Sequence, residues 1–237
     1  MSTLIWHEVE CGSYDADLSL WEDLAAGASG PILDLGCGSG RVALHLGRRN
    51  HDVVAIDNEV DLVAALIDRA QGLPVQGLLA DARGFELDTD VALALAPMQL
   101  IQLLTDPVHR RECLACTTAH LPPGGRIAMA IVEEIPAPAV GAAPVPDVRE
   151  VDGWVYSSLP LETFVEGPEI VVRRLRQTVS PAGVLSEEEN EVRLSRIGAA
   201  ELETEGIELG LVPFGRLHIP ATDLHLGSTV VVLGPDS

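Results

Sequence analysis

The sequence predicts an α/β fold in which helices cover both faces of a doubly wound, mostly parallel sheet of seven strands. Short apolar runs alternate with stretches of helical spacing from residue 31 onwards. The run Val53–Ile56 is continuously apolar, which is typical of a strand buried on both faces. Hydrophobic types make up 47% of the 237 residues, enough for one sizeable core. Aromatic residues contribute only 3%, so aliphatic side chains and alanine must fill it.

The first half of the chain supplies five strands and the helices that connect them. The predicted strands are Pro31–Leu35, His51–Asp57, Val75–Ala80, Val91–Ala96 and Arg126–Val132. The predicted helices are Arg41–Arg49, Glu59–Gln71 and Asp106–His120. Such alternation indicates βαβ units and a parallel sheet. Right-handed crossovers then give a doubly wound sheet that binds ligands at the carboxyl ends of its strands.

The pattern changes after a segment rich in proline and alanine, residues 136–146. The predicted antiparallel strands beyond it are Trp154–Leu159, Glu169–Thr178 and Leu185–Leu194, the last two forming a hairpin. A helix at Ile197–Glu205 and strands at Ile207–Val212 and Thr229–Leu233 complete the main sheet. We therefore expect an N-terminal helical lid segment at residues 1–30, a core at 31–147 and 197–237, and an inserted antiparallel β cap at 148–196.

The charge of the chain argues against nucleic acid or a membrane as its main partner. The formal net charge is −21, from 36 acidic and 15 basic residues, and such a surface repels phosphate backbones and anionic lipid. Arg173, Arg174 and Arg176 form the only dense basic cluster, which we interpret as the solvated edge of a strand.

Lysine and cysteine usage excludes further classes of protein. All 15 basic residues are arginine, so the chain offers no lysine for a pyridoxal phosphate Schiff base, a P-loop or general-base catalysis. The four cysteines show no disulfide framework, and no leader or membrane-length apolar run opens the sequence. We expect a cytoplasmic protein with reduced thiols. Cys113 and Cys116 lie in a predicted helix without partners that would complete a zinc site, so we predict no metal.

A glycine loop follows the first predicted strand, within the sequence ILDLGCGSGR at residues 32–41. Its glycines are Gly36, Gly38 and Gly40, whereas a dinucleotide fingerprint has the spacing G-x-G-x-x-G. Asp34 precedes the loop, where its carboxylate would repel a pyrophosphate but could hold an ammonium group. The loop therefore favours a nucleoside with a cationic amino-acid arm over NAD.

These residues resemble the first motif of the class I S-adenosylmethionine-dependent methyltransferases, a family with a Rossmann-like fold. The resemblance extends over most of the chain. It implies S-adenosylmethionine as cofactor, S-adenosylhomocysteine as product, and contact between the glycine loop and the methionine moiety. It also implies that Asp57 binds the ribose hydroxyls and that Asp81 contacts the adenine. The implied cofactor-binding residues are Asp34, Gly36, Cys37, Gly38, Gly40, Arg41, Asp57, Asn58, Asp81, Ala82 and Ala96.

The fourth motif of the resemblance points to a small-molecule acceptor. This chain has Ala96-Pro97-Met98-Gln99 there, without the amide or acid and the aromatic residue of the enzymes that methylate nucleobase amines. Together with the acidic composition, this departure favours a small molecule methylated on N or O. Methyl transfer is an in-line displacement at a sulfonium carbon, so positioning supplies most of the rate.

No His/Asp dyad is visible near the fourth strand, and a neutral amine acceptor needs no strong base. The catalytic candidates are Tyr14, Gln99 and His225; Trp21 and Gln102 are further candidates on the acceptor side. Tyr14 belongs to a segment that resembles the N-terminal lid closing over the cofactor in many small-molecule methyltransferases.

Two other functions stay open: a non-catalytic S-adenosylmethionine-binding protein and, disfavoured by the glycine spacing, a nicotinamide-dependent oxidoreductase. We expect a monomer or a homodimer.

Overall fold

The computed structural model describes residues 3–133, 145–222 and 225–236. The helices are α1 Thr3–Glu10, α2 Leu18–Ala26, α3 Arg41–Gly47, α4 Val60–Arg69, α5 Leu100–Leu103, α6 Pro107–Ala119 and α7 Ala199–Glu208. The strands are β1 Ile32–Leu35, β2 Val53–Asp57, β3 Val75–Leu79, β4 Leu93–Ala96, β5 Arg126–Ile131, β6 Asp147–Val151, β7 Trp154–Glu166, β8 Glu169–Val179, β9 Leu185–Ser195, β10 Leu211–Ile219 and β11 Ser228–Pro235.

Seven strands form the main sheet in the order β10-β11-β5-β4-β1-β2-β3. β1 to β5 run parallel to one another, whereas β11 is antiparallel to both β5 and β10. The strand order reverses beside β1, which pairs with β2 on one side and β4 on the other. An open α/β sheet binds ligands at such a switch point, outside the carboxyl ends of the strands.

Helices bury both faces of this sheet, as the continuous apolar runs predict. All four residues of β1 are buried. Leu33 and Leu35 pack in one core cluster with residues of α6 and α7. Ile32, on the opposite face, packs in a second cluster with residues of α2, α3 and α4. The prediction of a doubly wound, mostly parallel seven-stranded sheet is confirmed.

A separate antiparallel sheet of four strands, β6-β7-β8-β9, occupies the chain between β5 and α7. It contacts α1 through β6 and β7, and α5 through β9. The Gln102 side chain links the ends of β5 and β9. Its amide donates to the carbonyl oxygen of Val132 and accepts from the N–H of Val132, and it also donates to the carbonyl oxygen of Ser195, at 3.0 Å. Arg110 on α6 adds a buried ion pair with Glu205 of α7, at 2.6 Å.

Several details of the sequence-based assignment differ from the structure. The strand predicted at Ile207–Val212 begins at Leu211, because α7 continues to Glu208 and Gly210 turns the chain with a positive φ of 85°. β7 runs on to Glu166, since the register shift at Pro160 accommodates the missing N–H. The short strand β6 was not predicted.

The arginine cluster is not a solvated edge, so that interpretation was wrong. β8 lies between β7 and β9, and the side chains of Arg174 and Arg176 are each only 17% exposed. Most of the predicted break at 136–146, residues 136–144, lies outside the described residues. Within the described parts of the chain, no helix combines the length and apolar character needed to cross a membrane.

Candidate active site

A cavity of about 410 Å³ opens at the carboxyl ends of β1 to β4. This volume falls within the range of roughly 300–1,000 Å³ typical of small-molecule and cofactor sites. Eight of the eleven residues predicted to bind the cofactor line it: Asp34, Gly36, Cys37, Arg41, Asp57, Asn58, Asp81 and Ala82. The topology thus brings residues from three strand ends and the glycine loop into one site.

The other three residues, Gly38, Gly40 and Ala96, do not line the cavity. The N–H of Gly38 donates to Asp57 Oδ2 at 2.8 Å, and a Cβ on Gly38 would overlap the ring of His7. A Cβ on Gly40 would overlap Leu66 of α4. Gly38 and Gly40 have φ values of 57° and 95°, which residues other than glycine rarely adopt. Ala96 is buried in the core below the end of β4.

Asp57, at the end of β2, is held by two backbone donors. Its Oδ2 accepts from Gly38 and its Oδ1 accepts from the N–H of Glu59, at 3.0 Å. Each carboxylate oxygen keeps a second lone pair that can accept from a ligand hydroxyl. The carboxylate is therefore fixed in place while retaining capacity to bind a ligand.

Asp34, at the glycine loop, carries an unsatisfied oxygen. Its Oδ2 accepts from the N–H of Ala43 at 3.0 Å, whereas the buried Oδ1 has no partner in the described structure. Burial raises the pKa of this carboxyl to about 7. A lining carboxyl with a free acceptor atom fits a ligand that carries an ammonium group, because such a group satisfies Oδ1 and favours the ionised form.

Asp81, at the end of β3, is more exposed and is tied to its own turn. Its carboxylate pairs with Arg83 at 2.6 Å, and the hydrogen bonds from Arg83 lower its pKa to about 2. Asp81 is therefore ionised at neutral pH and can accept hydrogen bonds from a ligand.

The N-terminal helix α1 and the residue that follows it contribute lining residues that sequence analysis missed. His7 and Cys11 both face the cavity. Their i, i+4 spacing places them on one face of a helix, which is the only sequence signal that could have grouped them. Burial lowers the pKa of His7, and it raises the pKa of Cys11 to about 11, so both side chains are neutral near pH 7.

The end of β4 forms an apolar wall. Pro97 and Met98 line the cavity together with leucines of α5 and the residue that follows it. Met98 and Gln99 are consecutive non-glycine residues in the left-handed region, with φ values of 47° and 61°. Such strain is concentrated at functional sites.

None of the three catalytic candidates lines the described cavity. The Tyr14 ring lies between the Arg41 guanidinium, 5.1 Å from the ring centroid, and the His225 ring, 4.7 Å away between centroids. Burial raises the pKa of Tyr14 to about 12. Gln99 donates to Ser228 Oγ at the start of β11, at 3.2 Å.

The two further candidates, Trp21 and Gln102, make contacts that hold the fold together. Trp21 is fully buried and donates to Asp17 at 2.8 Å, while Gln102 ties β5 to β9 as described above. Cys113 is a core residue, and Cys116 donates to the carbonyl oxygen of Phe85. Across residues 3–133, 145–222 and 225–236, no three His, Cys, Asp or Glu side chains are grouped to hold a metal ion.

In comparison with known protein families, residues 32–125 match the methyltransferase domain family. The chain is also 36% identical over 95 residues to hemagglutinin 1 of Eikenella corrodens. That alignment covers 39% of this chain and 31% of the other protein, so the chain spans about a third of the length of the curated relative it matches.

Similar solved structures cover nearly the whole chain. The CcbJ methyltransferase of Streptomyces caelestis has a TM-score of 0.71 at 18% identity, over 95% of this chain and 92% of that one. The sugar N-methyltransferase KedS8 of Streptoalloteichus has a TM-score of 0.73 at 17% identity, over 98% and 91%. CalS10, an amino pentose methyltransferase of Micromonospora echinaspora bound to S-adenosylmethionine, has a TM-score of 0.71 at 17% identity, over 96% of both chains.

The switch-point cavity, the glycine loop and the strand-end carboxylates agree with these likenesses. Residues 32–125 thus match the methyltransferase domain family, and the chain as a whole shares the fold of the solved methyltransferase structures.

Proposed function

We propose that the chain is an S-adenosylmethionine-dependent methyltransferase that methylates an amine nitrogen of a small molecule by in-line displacement. The observation that carries the proposal is the convergence of Asp34, Asp57 and Asp81 on one cavity, with Asp34 Oδ1 buried and unpartnered. A ligand with a cationic amino-acid arm, two ribose hydroxyls and an adenine matches these acceptors in order.

The bound cofactor would supply an electrophilic methyl group on a sulfonium. Asp34 would hold the ammonium, Asp57 the ribose hydroxyls and Asp81 with Ala82 the adenine edge. The apolar wall of Pro97 and Met98 would exclude water from the end of β4. The residues therefore bind and orient, which is the main requirement for this displacement.

The geometry favours an amine over a hydroxyl acceptor. His7, the one histidine among the described lining residues, lies against Gly38 in the glycine loop. With a pKa of about 12, Tyr14 is protonated at neutral pH and can donate a hydrogen bond but not remove a proton. A neutral amine needs no base, and the names of KedS8 and CalS10 also point to amine or amino-sugar chemistry.

Residues 148–196 would form the substrate cap, and residues 1–30 the lid. Tyr14, Gln99 and His225 would contact the acceptor from the edge of the cavity. The net charge of −21 supports a small molecule in preference to nucleic acid. The four free cysteines support a reducing, cytoplasmic location.

The test begins with calorimetric titration of S-adenosylmethionine, S-adenosylhomocysteine and NAD into the wild type, Asp57→Ala and Asp88→Ala. Asp88 is an exposed acid outside the cavity and serves as the matched control. We expect micromolar binding of the first two ligands, lost only in Asp57→Ala. Tight NAD binding, or no binding of either S-adenosyl ligand, contradicts the proposal.

A panel of amines and hydroxyl compounds, including amino sugars, then identifies the acceptor class through release of S-adenosylhomocysteine. Turnover with hydroxyl compounds alone would contradict the proposal that the acceptor is an amine nitrogen. Cofactor binding without transfer to any acceptor would favour a non-catalytic binding protein.

A further inference from the structure

Helix α1 carries two glutamates that bind different parts of the molecule. Glu8 accepts hydrogen bonds from Ser39 in the glycine loop and, at 2.7 Å, from Arg69 on α4. The same carboxylate pairs with Arg149 on β6, at 2.8 Å. Glu8 therefore joins α1 to the loop that lines the cavity.

Glu10 faces the antiparallel sheet. Arg176 on β8 donates two parallel hydrogen bonds to its carboxylate, both 2.8 Å long, and Ser158 on β7 donates a third at 2.7 Å. Arg174 donates to the same Ser158 hydroxyl and pairs with Asp147. The bidentate fork fixes orientation as well as distance, which a single contact would not do.

Trp6 completes this interface between α1 and the sheet. Its ring lies 5.1 Å from the Arg176 guanidinium and packs edge-to-face against Tyr156 of β7, with 5.8 Å between ring centroids. Trp6 is only 5% exposed. Because its ring packs against residues of the sheet, we expect its fluorescence to report the docking of α1.

The Glu10–Arg176 pair is shielded from water on both sides, because the Arg176 side chain is only 17% exposed, whereas the arginines that pair with Glu8 are about 40% exposed. The side chains of Glu8 and Glu10 are 10% and 13% exposed. Burial opposes their ionisation, but the hydrogen bonds from Ser39 and Arg69 to Glu8, and from Arg176 and Ser158 to Glu10, outweigh it and lower both pKa values. Removing one partner of a buried pair leaves the other charge uncompensated, so a single substitution there has a larger effect than at an exposed pair.

The position of α1 matters for the cavity because His7 on this helix and Cys11, which directly follows it, form part of the cavity wall. No described residue of the antiparallel sheet lines that cavity. The side-chain contacts of Arg176 with Glu10 and Trp6 connect it to the cavity through α1.

We propose that Glu10 and Arg176 are positioning residues that hold α1 against the cofactor, so that the antiparallel sheet sets cofactor affinity without touching the cofactor. This inference rests on the proposed function for the identity of the cofactor.

The experiment compares the wild type with Glu10→Gln, Arg176→Gln, the double variant and Arg193→Gln. Arg193 lies on the same sheet in exposed ion pairs with Glu166, Glu169 and Glu191, so it controls for loss of an arginine that does not contact α1. The readouts are the calorimetric dissociation constant of S-adenosylmethionine and the Trp6 emission, obtained as a difference against Trp6→Phe.

We expect each single variant to weaken S-adenosylmethionine about tenfold, within the roughly 5–150-fold common for coupled sites. The double variant should be no weaker than Glu10→Gln, which already removes the ion pairs of Glu10 with both Arg176 and Arg174. Trp6 emission should shift to longer wavelength in these three and stay unchanged in Arg193→Gln. Where the Gln variants fail to fold, Arg176→Lys, which keeps the charge but loses the fork, should give an intermediate loss.

If the single variants bind S-adenosylmethionine as tightly as the wild type while their Trp6 emission is shifted, the inference is overturned and the proposed function stays intact. Additive losses in the double variant also overturn it. A wild type that binds no S-adenosylmethionine overturns both proposals.

Discussion

Asp34 should make cofactor binding depend on pH. Burial raises its pKa to about 7, so the free protein holds a largely protonated carboxyl below that pH. An ammonium group beside Oδ1 favours the carboxylate and lowers the pKa towards its ordinary value of about 4. Binding therefore releases a proton below pH 7, and affinity rises with pH up to that point.

The magnitude follows from this shift. Well below pH 7, each pH unit changes the affinity by up to about tenfold, equivalent to roughly 1.4 kcal/mol. When the pH falls from 7.5 to 6.0, the ionised fraction of a group with a pKa of about 7 decreases roughly eightfold, and the affinity decreases with it. Above about pH 8 the ligand's own amino group loses its proton, so the affinity should fall again.

The assay is calorimetry with S-adenosylmethionine in buffers of different ionisation enthalpy, which counts the protons released. Asp34→Asn should bind about 10–150-fold more weakly at pH 7.5, since a hydrogen bond to a charged group contributes roughly 1.5–3 kcal/mol. It should also lose the proton release. Because the folded pKa lies above the unfolded one, the free wild type loses stability as pH rises from about 4 to about 7, and Asp34→Asn should not.

An identical pH slope in wild type and Asp34→Asn would refute this reasoning. It would show that another group in the cavity, such as His7, controls the proton release.

Two further substitutions test the loop and the core. Gly38→Ala should lower the affinity for S-adenosylmethionine at least tenfold in titrations, because the new Cβ would overlap the His7 ring. Gly72 is the control, since it has a similar positive φ of 79° but open space around it. An equal loss of affinity in Gly72→Ala would contradict the steric argument. Arg110→Met should lower the free energy of unfolding by about 3 kcal/mol in urea titrations, because it leaves a largely buried carboxylate unpaired; a change below about 1 kcal/mol would contradict this.

The alternating core was predictable because its signals are local. Continuous apolar runs such as Val53–Ile56 identify strands buried on both faces, and Asp34, Asp57 and Asp81 mark three strand ends directly in the sequence. Parallel topology then requires those ends to meet at one edge. The position of the cavity follows from that topology.

The contribution of α1 was not predictable in the same way. The Glu10–Arg176 pair joins residues 166 positions apart, and nothing in the short helix indicates which surface it covers. Likewise, the spacing of Arg174 and Arg176 indicates a shared face but not that β8 lies inside its sheet. Sheet order depends on pairing between distant segments, and this is where the solvated-edge interpretation failed.

The left-handed pair Met98 and Gln99 has a consequence for engineering this protein. Strained residues cost on the order of 1–3 kcal/mol each, and glycine at either position would relieve that cost. Selection for heat resistance alone would therefore favour glycines there and remove the rigid turn behind the Pro97 and Met98 wall. Stabilised variants are better sought on the outer helices, where gains in melting temperature leave the shape of the cavity unchanged.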